Sequence, residues 1–303
     1  MKIGKPKRTY IRLLLLLCIL FAGEAILRFL YGFCDAPLFV SSSAYEYIAA
    51  ANQDGERFGN HYHFNSYSQR SNEPDTTKTI ILGLGDSVLL GGVQTDQDSI
   101  ATSIFTAEMP NYQMLNIAAG SWGPDNCLAY IKEKGTFNAK ALFLVVSSHD
   151  AYDNMDFEPV VGLHPSYPSK QYGLAYLELL DRYVLPRVKK LFTKEKKLDP
   201  DQKVLDEIQK EGTVFNPGFD GLKHASDSLN IPLTLYLHAE KSELANTSYN
   251  EQGQQIIQWA KDNGVTLIEE LDYNFSDADY RDKIHINGSG QKKLAQIMLE
   301  TYQ

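Results

Sequence analysis

The chain has 303 residues, 43% hydrophobic and 22% charged, with 21 Gly and 12 Pro, which excludes disordered, collagen-like and coiled-coil classes and leaves one large α/β domain or two small ones. Formal charge is −9, and because Lys2, Lys5, Lys7, Arg8 and Arg12 stand without an acid among the first twelve residues, the remaining 291 carry −14. An acidic body repels phosphate backbones, so no nucleic-acid partner is expected, and three scattered cysteines (Cys18, Cys34, Cys127) are too few for a disulfide scaffold or a zinc site.

After the basic residues comes an uncharged run, LLLLLCILFAG at 13–23, followed by a mixed stretch with Glu24 and Arg28. Eleven residues alone suit the h-region of an export signal. Continuing to Phe33 reaches membrane length, since Glu24 and Arg28 sit one helical turn apart and can pair near the outer interface. Gly23-Glu24-Ala25 is a poor cleavage site, so residues 1–35 are predicted as an uncleaved signal anchor and transmembrane helix, N-terminus inside. The rest is then periplasmic or at the cell surface; cleavage would instead give a secreted protein.

Residues 36–77 read as a polar connector with a short helix over Ala44 to Ala51 and the extended piece HYHFNSYSQRS. His61-Tyr62-His63 would place two imidazoles on one face if it formed a strand, but it reads as a solvent-exposed loop rather than a metal site. From residue 78 to 303 apolar runs of strand length alternate with helix-like stretches: TIILGLG at 79–85, QMLNIA at 113–118, ALFLVVS at 141–147, PLTLYLH at 232–238 and VTLIE at 265–269. Continuous apolar strands separated by helices predict a doubly wound α/β domain on a five-stranded parallel sheet covered on both faces. Pro124 suits the first turn of one helix, and Gly288 opens the last. An insert at about 155–215 holds Tyr167, Tyr172, Tyr176, Tyr183, a helical run around LAYLELLDRYVLPRV and a basic tail (Lys189, Lys190, Lys194, Lys196, Lys197). It is long for such a connection and reads as a lid, a substrate platform or an extra helical hairpin.

In a doubly wound sheet ligands sit beyond the carboxyl ends of the strands. There stand Gly85-Asp86-Ser87, then Asn116 to Gly120, then Ser147-Ser148-His149-Asp150, and finally Asp282-Lys283-Ile284-His285 before the last helix. A serine hydroxyl needs a base to remove its proton, and the base needs an acceptor that holds its tautomer. His285 and Asp282 supply base and orienter from one segment if the first and last strands deliver Ser87 and His285 to the same rim. The developing oxyanion needs donors, for which the N–H groups of Ser87 and Gly120 are candidates. Gly83-Leu84-Gly85 lacks the third small residue of a dinucleotide fingerprint, with Val at 88, and neither a phosphate-cradling Gly-Lys-Ser/Thr loop nor a His-Glu-x-x-His motif is present.

These blocks, in this order, resemble the SGNH/GDSL hydrolase family over roughly residues 78–303, and FNSYSQRS resembles a segment preceding the domain in membrane-anchored, exopolysaccharide-associated members. The resemblance implies a flavodoxin-like three-layer sandwich, Ser87 as nucleophile and first oxyanion donor, Gly120 as second donor, position 149 as third, and Asp282 and His285 completing a triad. Position 149 departs from the pattern, being His where the family has Asn; a neutral imidazole still offers one N–H, and Asn154 is a possible substitute donor. The implied activity is a serine esterase acting on short acyl (O-acetyl) esters, on a cell-surface or exported glycan, with no cofactor and no metal. An O-acyltransferase on the same triad and a catalytically silent glycan-binding or assembly component are the alternatives.

Overall fold

The computed structural model describes residues 6–192, 210 and 212–303; Lys194, Lys196 and Lys197 of the predicted basic tail lie outside them. The N-terminal helix α1 (Pro6–Tyr31) is apolar over Tyr10–Tyr31, long enough by length and composition to cross a membrane, with Leu13 to Leu17, Leu20 and Leu30 exposed. Glu24 and Arg28 pair as their spacing predicts, Nε to Oε1 at 2.7 Å.

Residues 39–64 differ from expectation. No helix forms over Ala44 to Ala51. Instead β1 (Phe39–Ser42) pairs with β2 (Glu46–Ala49), and β3 (Gln53–Arg57) with β4 (Asn60–Phe64), as two antiparallel hairpins. The alanines suit a helix locally, but all four β2 residues are buried, and Tyr45, Tyr47, Ile48, Tyr62 and Phe64 join the core that also holds the main sheet's side chains. Tertiary burial overrides propensity here. His61 and His63 likewise stand on strand β4 rather than in a loop. Cross-strand pairing sets Asp54 opposite His63, so both imidazoles contact the Asp54 Oδ2, at 3.1 and 3.0 Å.

Among the described residues the main sheet has five parallel strands: β5 (Thr79–Gly85), β6 (Tyr112–Ala118), β7 (Ala141–Ser147), β8 (Leu233–His238) and β9 (Thr266–Glu269). Their spatial order is β6-β5-β7-β8-β9. Strands β7 and β8 are buried at every residue, which is why their sequences run apolar without alternation. The helices that follow α1 are α2 (Ser87–Leu90), α3 (Ala101–Glu108), α4 (Pro124–Lys134), α5 (Ala175–Glu178), α6 (Leu185–Phe192), α7 (Gly218–Leu229), α8 (Lys241–Asn246), α9 (Glu251–Asp262) and α10 (Gly288–Tyr302). A wider π-type stretch, Leu179–Val184, joins α5 to α6, so the insert contributes one helical run over 175–192. Winding reverses between β5 and β7, and a crevice opens there beyond their carboxyl ends.

Candidate active site

Strand β5 delivers Ser87 to the crevice as the first residue of α2. Asp86 caps that helix, its Oδ1 accepting the Val88 N–H at 2.8 Å, so Ser87 lies in the first turn, where helix N–H groups lack intrahelical acceptors. The helix stops after one turn at Gly91, whose φ of 78° and close contact with Ile100 (a Cβ would fall 2.6 Å from Cγ2) require glycine. Arg70 holds the loop that follows. Its buried guanidinium donates to the carbonyls of Leu90, Gly92 and Thr95 at 2.6, 2.7 and 2.7 Å. Burial pulls Arg70 down to about 10, Asp96 opposing, so it stays charged at neutral pH.

The loop before α10 delivers the imidazole. Asp282 Oδ1 accepts the backbone N–H of Ile284 at 3.1 Å and of His285 at 2.7 Å, folding the loop around the carboxylate. His285 Nδ1 lies 2.9 Å from both Asp282 oxygens, and its Nε2 lies 2.9 Å from Ser87 Oγ. Burial alone would raise the Asp282 carboxyl; the His285 ring and the two backbone donors outweigh it and hold the group well below the usual carboxylate range. A fixed anion, an imidazole and a hydroxyl therefore form one hydrogen-bonded chain across 198 residues of sequence.

A second imidazole anchors that loop. His238, the last residue of β8 and fully buried, places Nδ1 2.6 Å from Glu270 Oε2 and Nε2 2.6 Å from the Ile284 carbonyl, one residue before His285. Burial opposes its charge, but the Glu270 carboxylate prevails, with the Ile284 carbonyl adding to it, and His238 is pushed up to about 9. Tyr236 and Tyr280 also donate to Glu270. The sequence signal for this anchor was slight: a histidine closing an apolar strand and an acid after the next.

Gly120 follows β6. The Tyr47 and Tyr167 hydroxyls donate to its carbonyl at 2.9 and 3.0 Å, and a Cβ at Gly120 would lie 2.9 Å from Tyr167 Oη, so this approach needs glycine. Tyr47 comes from the hairpins and Tyr167 from the insert, so both segments shape the crevice. Ser87, Gly120, His149 and His285 all line one cavity of about 870 Å³.

His149 follows β7 with its side chain 12% exposed. Nδ1 contacts Glu240 Oε1 at 3.3 Å, while the nearest acid to Nε2, Asp150 Oδ1, is 3.9 Å away, beyond hydrogen-bond range. Burial disfavours the charged ring, but Asp150 and then the Glu240 hydrogen bond push it up to about 10. These contacts favour the charged form of the ring, which faces the cavity. The reciprocal contact holds Glu240 below its ordinary range despite burial. Nearby, Asp153 is buried with neither carboxylate oxygen bonded in the structure, and burial raises it to about 7. Atoms of Asp86, His149 and Asp150 suited to a metal lie within 4.8 Å of one another, but Asp86 caps α2 and Asp150 Oδ2 accepts the Ser147 N–H at 2.7 Å. Asn154 turns its amide to the Val214 carbonyl at 2.8 Å, away from the role of substitute donor.

No protein-family model matches the chain, and no curated protein matches it. Among solved structures it is similar to a member of the lipolytic protein G-D-S-L family from Veillonella parvula DSM 2008 (12% identity, TM-score 0.41, covering 74% of this chain and 98% of that one). It is also similar to a putative lipolytic protein of the G-D-S-L family from Desulfitobacterium hafniense DCB-2 (9%, 0.42, 74% and 99%) and to an acetyl-xylooligosaccharide esterase from Geobacillus (11%, 0.38, 75% and 95%).

Proposed function

We propose that this chain is an exported, membrane-anchored serine esterase that removes short acyl groups, O-acetyl above all, from a cell-surface or exported glycan. The observation that carries the reading is the contact of His285 Nε2 with Ser87 Oγ at 2.9 Å while Nδ1 rests on Asp282. Ser87 Oγ attacks the ester carbonyl as His285 takes its proton; the ring then gives that proton to the leaving alkoxide, and the acyl group stays on Ser87. Water repeats the cycle, with His285 as base, and frees the acid. Asp282 holds the tautomer and stabilises the imidazolium between the two transfers. The N–H groups of Ser87 and Gly120 and the charged His149 serve as oxyanion donors, the last of them charge-assisted.

A bulky polar acceptor is supported by the size of the cavity and by Gln94, Tyr183, Lys241 and Arg281 on its wall. Export and anchoring are supported by the exposed apolar length of α1 and by the five basic residues among the first twelve. The test is hydrolysis of O-acetylated oligosaccharides by the full chain in detergent. Ser87→Ala is expected to lower kcat by at least roughly 10⁴-fold without loss of folding. A folded Ser87→Ala protein with wild-type turnover overturns the reading.

A further inference from the structure

The helical run 175–192 is apolar on the side that faces away from the protein. Ala175 and Glu178 are buried, and Glu178 is tied down by Arg57 at 2.5 Å and by the Cys34 N–H at 2.6 Å. On the opposite side Leu177, Leu180, Val184 and Val188, spaced by three and four residues, stand 51, 47, 37 and 39% exposed. A soluble surface has no use for such a stripe.

The helix is joined to α1. Glu24 of α1 accepts the backbone N–H groups of Ala175 at 2.7 Å and Tyr176 at 3.1 Å, and Arg28 donates to the Gly173 carbonyl at 2.6 Å. The insert therefore docks on the last two turns of the apolar segment Tyr10–Tyr31. Those 22 residues make about 33 Å of helix, matching a hydrocarbon core of ~30 Å. The part before Gly23 amounts to only about 20 Å, too little by itself. Bilayer contact must then extend to the level at which the insert helix packs, where the stripe lies.

We propose that the helical run 175–192 lies in the outer interface of the membrane, its Leu177, Leu180, Val184 and Val188 side chains among the lipid chains. This rests on the reading of α1 as a membrane span. The same helix contributes Arg182 and Tyr183 to the wall of the catalytic cavity, so the cavity is held within one helix diameter, about 10 Å, of the lipid surface. The esters it reaches are those displayed at that surface.

The test uses the wild-type full chain in phosphatidylethanolamine/phosphatidylglycerol vesicles, with a hydrophobic diazirine photoprobe dissolved in the bilayer and residues mapped by mass spectrometry. Residues 13–22 of α1 report the span, and Leu229, 45% exposed at the end of α7, reports background. The stripe residues are expected to be labelled about tenfold above Leu229 and to fall to background when Leu180 and Val184 are both replaced by serine. Labelling of α1 with the stripe at background overturns the proposal while leaving the anchor standing; absence of label from α1 removes both. A stripe protected from the probe, with dimers by sedimentation, assigns the face to a second copy and also overturns it.

Discussion

Two imidazole–carboxylate pairs lie within a few residues of each other and have opposite tasks. His238 and Glu270 are fully buried, with both ring nitrogens against protein acceptors, so the ring has no proton to exchange with a ligand. His285 and Asp282 are each about one-fifth exposed, and Nε2 of His285 faces a hydroxyl on the cavity wall. Residue type is shared; the partner of the second nitrogen separates an anchor from a base. The two are linked through the peptide of Ile284, whose carbonyl takes the His238 contact and whose neighbour is His285.

The largest effect should come from the open pair. Asp282→Asn removes the anion that sets the His285 tautomer and is expected to lower kcat about 10⁴-fold while moving the thermal midpoint little; an equal loss of folding would erase the distinction between the pairs. The closed pair should behave the other way. Glu270→Gln leaves a buried imidazolium without its counter-charge and is expected to cost about 3 kcal/mol in urea unfolding, with only a roughly tenfold loss of kcat/KM through the shifted loop. His149→Ala tests the third ring: an oxyanion donor predicts a fall of about 10²-fold in kcat with KM unchanged, whereas a purely structural ring predicts a change in stability alone.

The smallest effect is in pH. Because His238 titrates at about 9 when folded, above the ordinary 6.5 of a free ring, the stability it contributes is complete below 6.5 and is lost as pH rises through about 9. The free energy of unfolding of the wild type, read from urea melts at several pH values, should therefore fall over that window. The His238→Gln/Glu270→Gln double variant, in which neither group titrates, should lose that part of the slope. A parallel pair of curves would remove the charge from His238.

Of the two pairs, only the open one can be read from sequence. The five strands announce themselves as apolar runs because a sheet buried on both faces leaves no polar alternation to confuse them. Asp282 and His285 are legible because a base and its orienter three residues apart need only one loop, and the register of His149 after β7 is legible for the same reason of locality. What escaped depends on distance. Glu240 reaches His149 from another element 91 residues away, Asp54 meets its histidines only across a hairpin, and β2 is extended because its residues are buried against the core rather than because its alanines favour a strand. The Arg70 clamp on the loop behind Ser87 joins residues twenty or more apart, and no local pattern encodes it.

The measurement that bears most directly on the central claim is covalent capture of the nucleophile. Incubated with a fluorophosphonate, the folded chain should gain one phosphonyl group on the peptide containing Ser87, and the adduct should be lost with His285→Ala. Ester hydrolysis by protein that carries no adduct at Ser87, or an adduct on another serine at equal rate, would contradict the account.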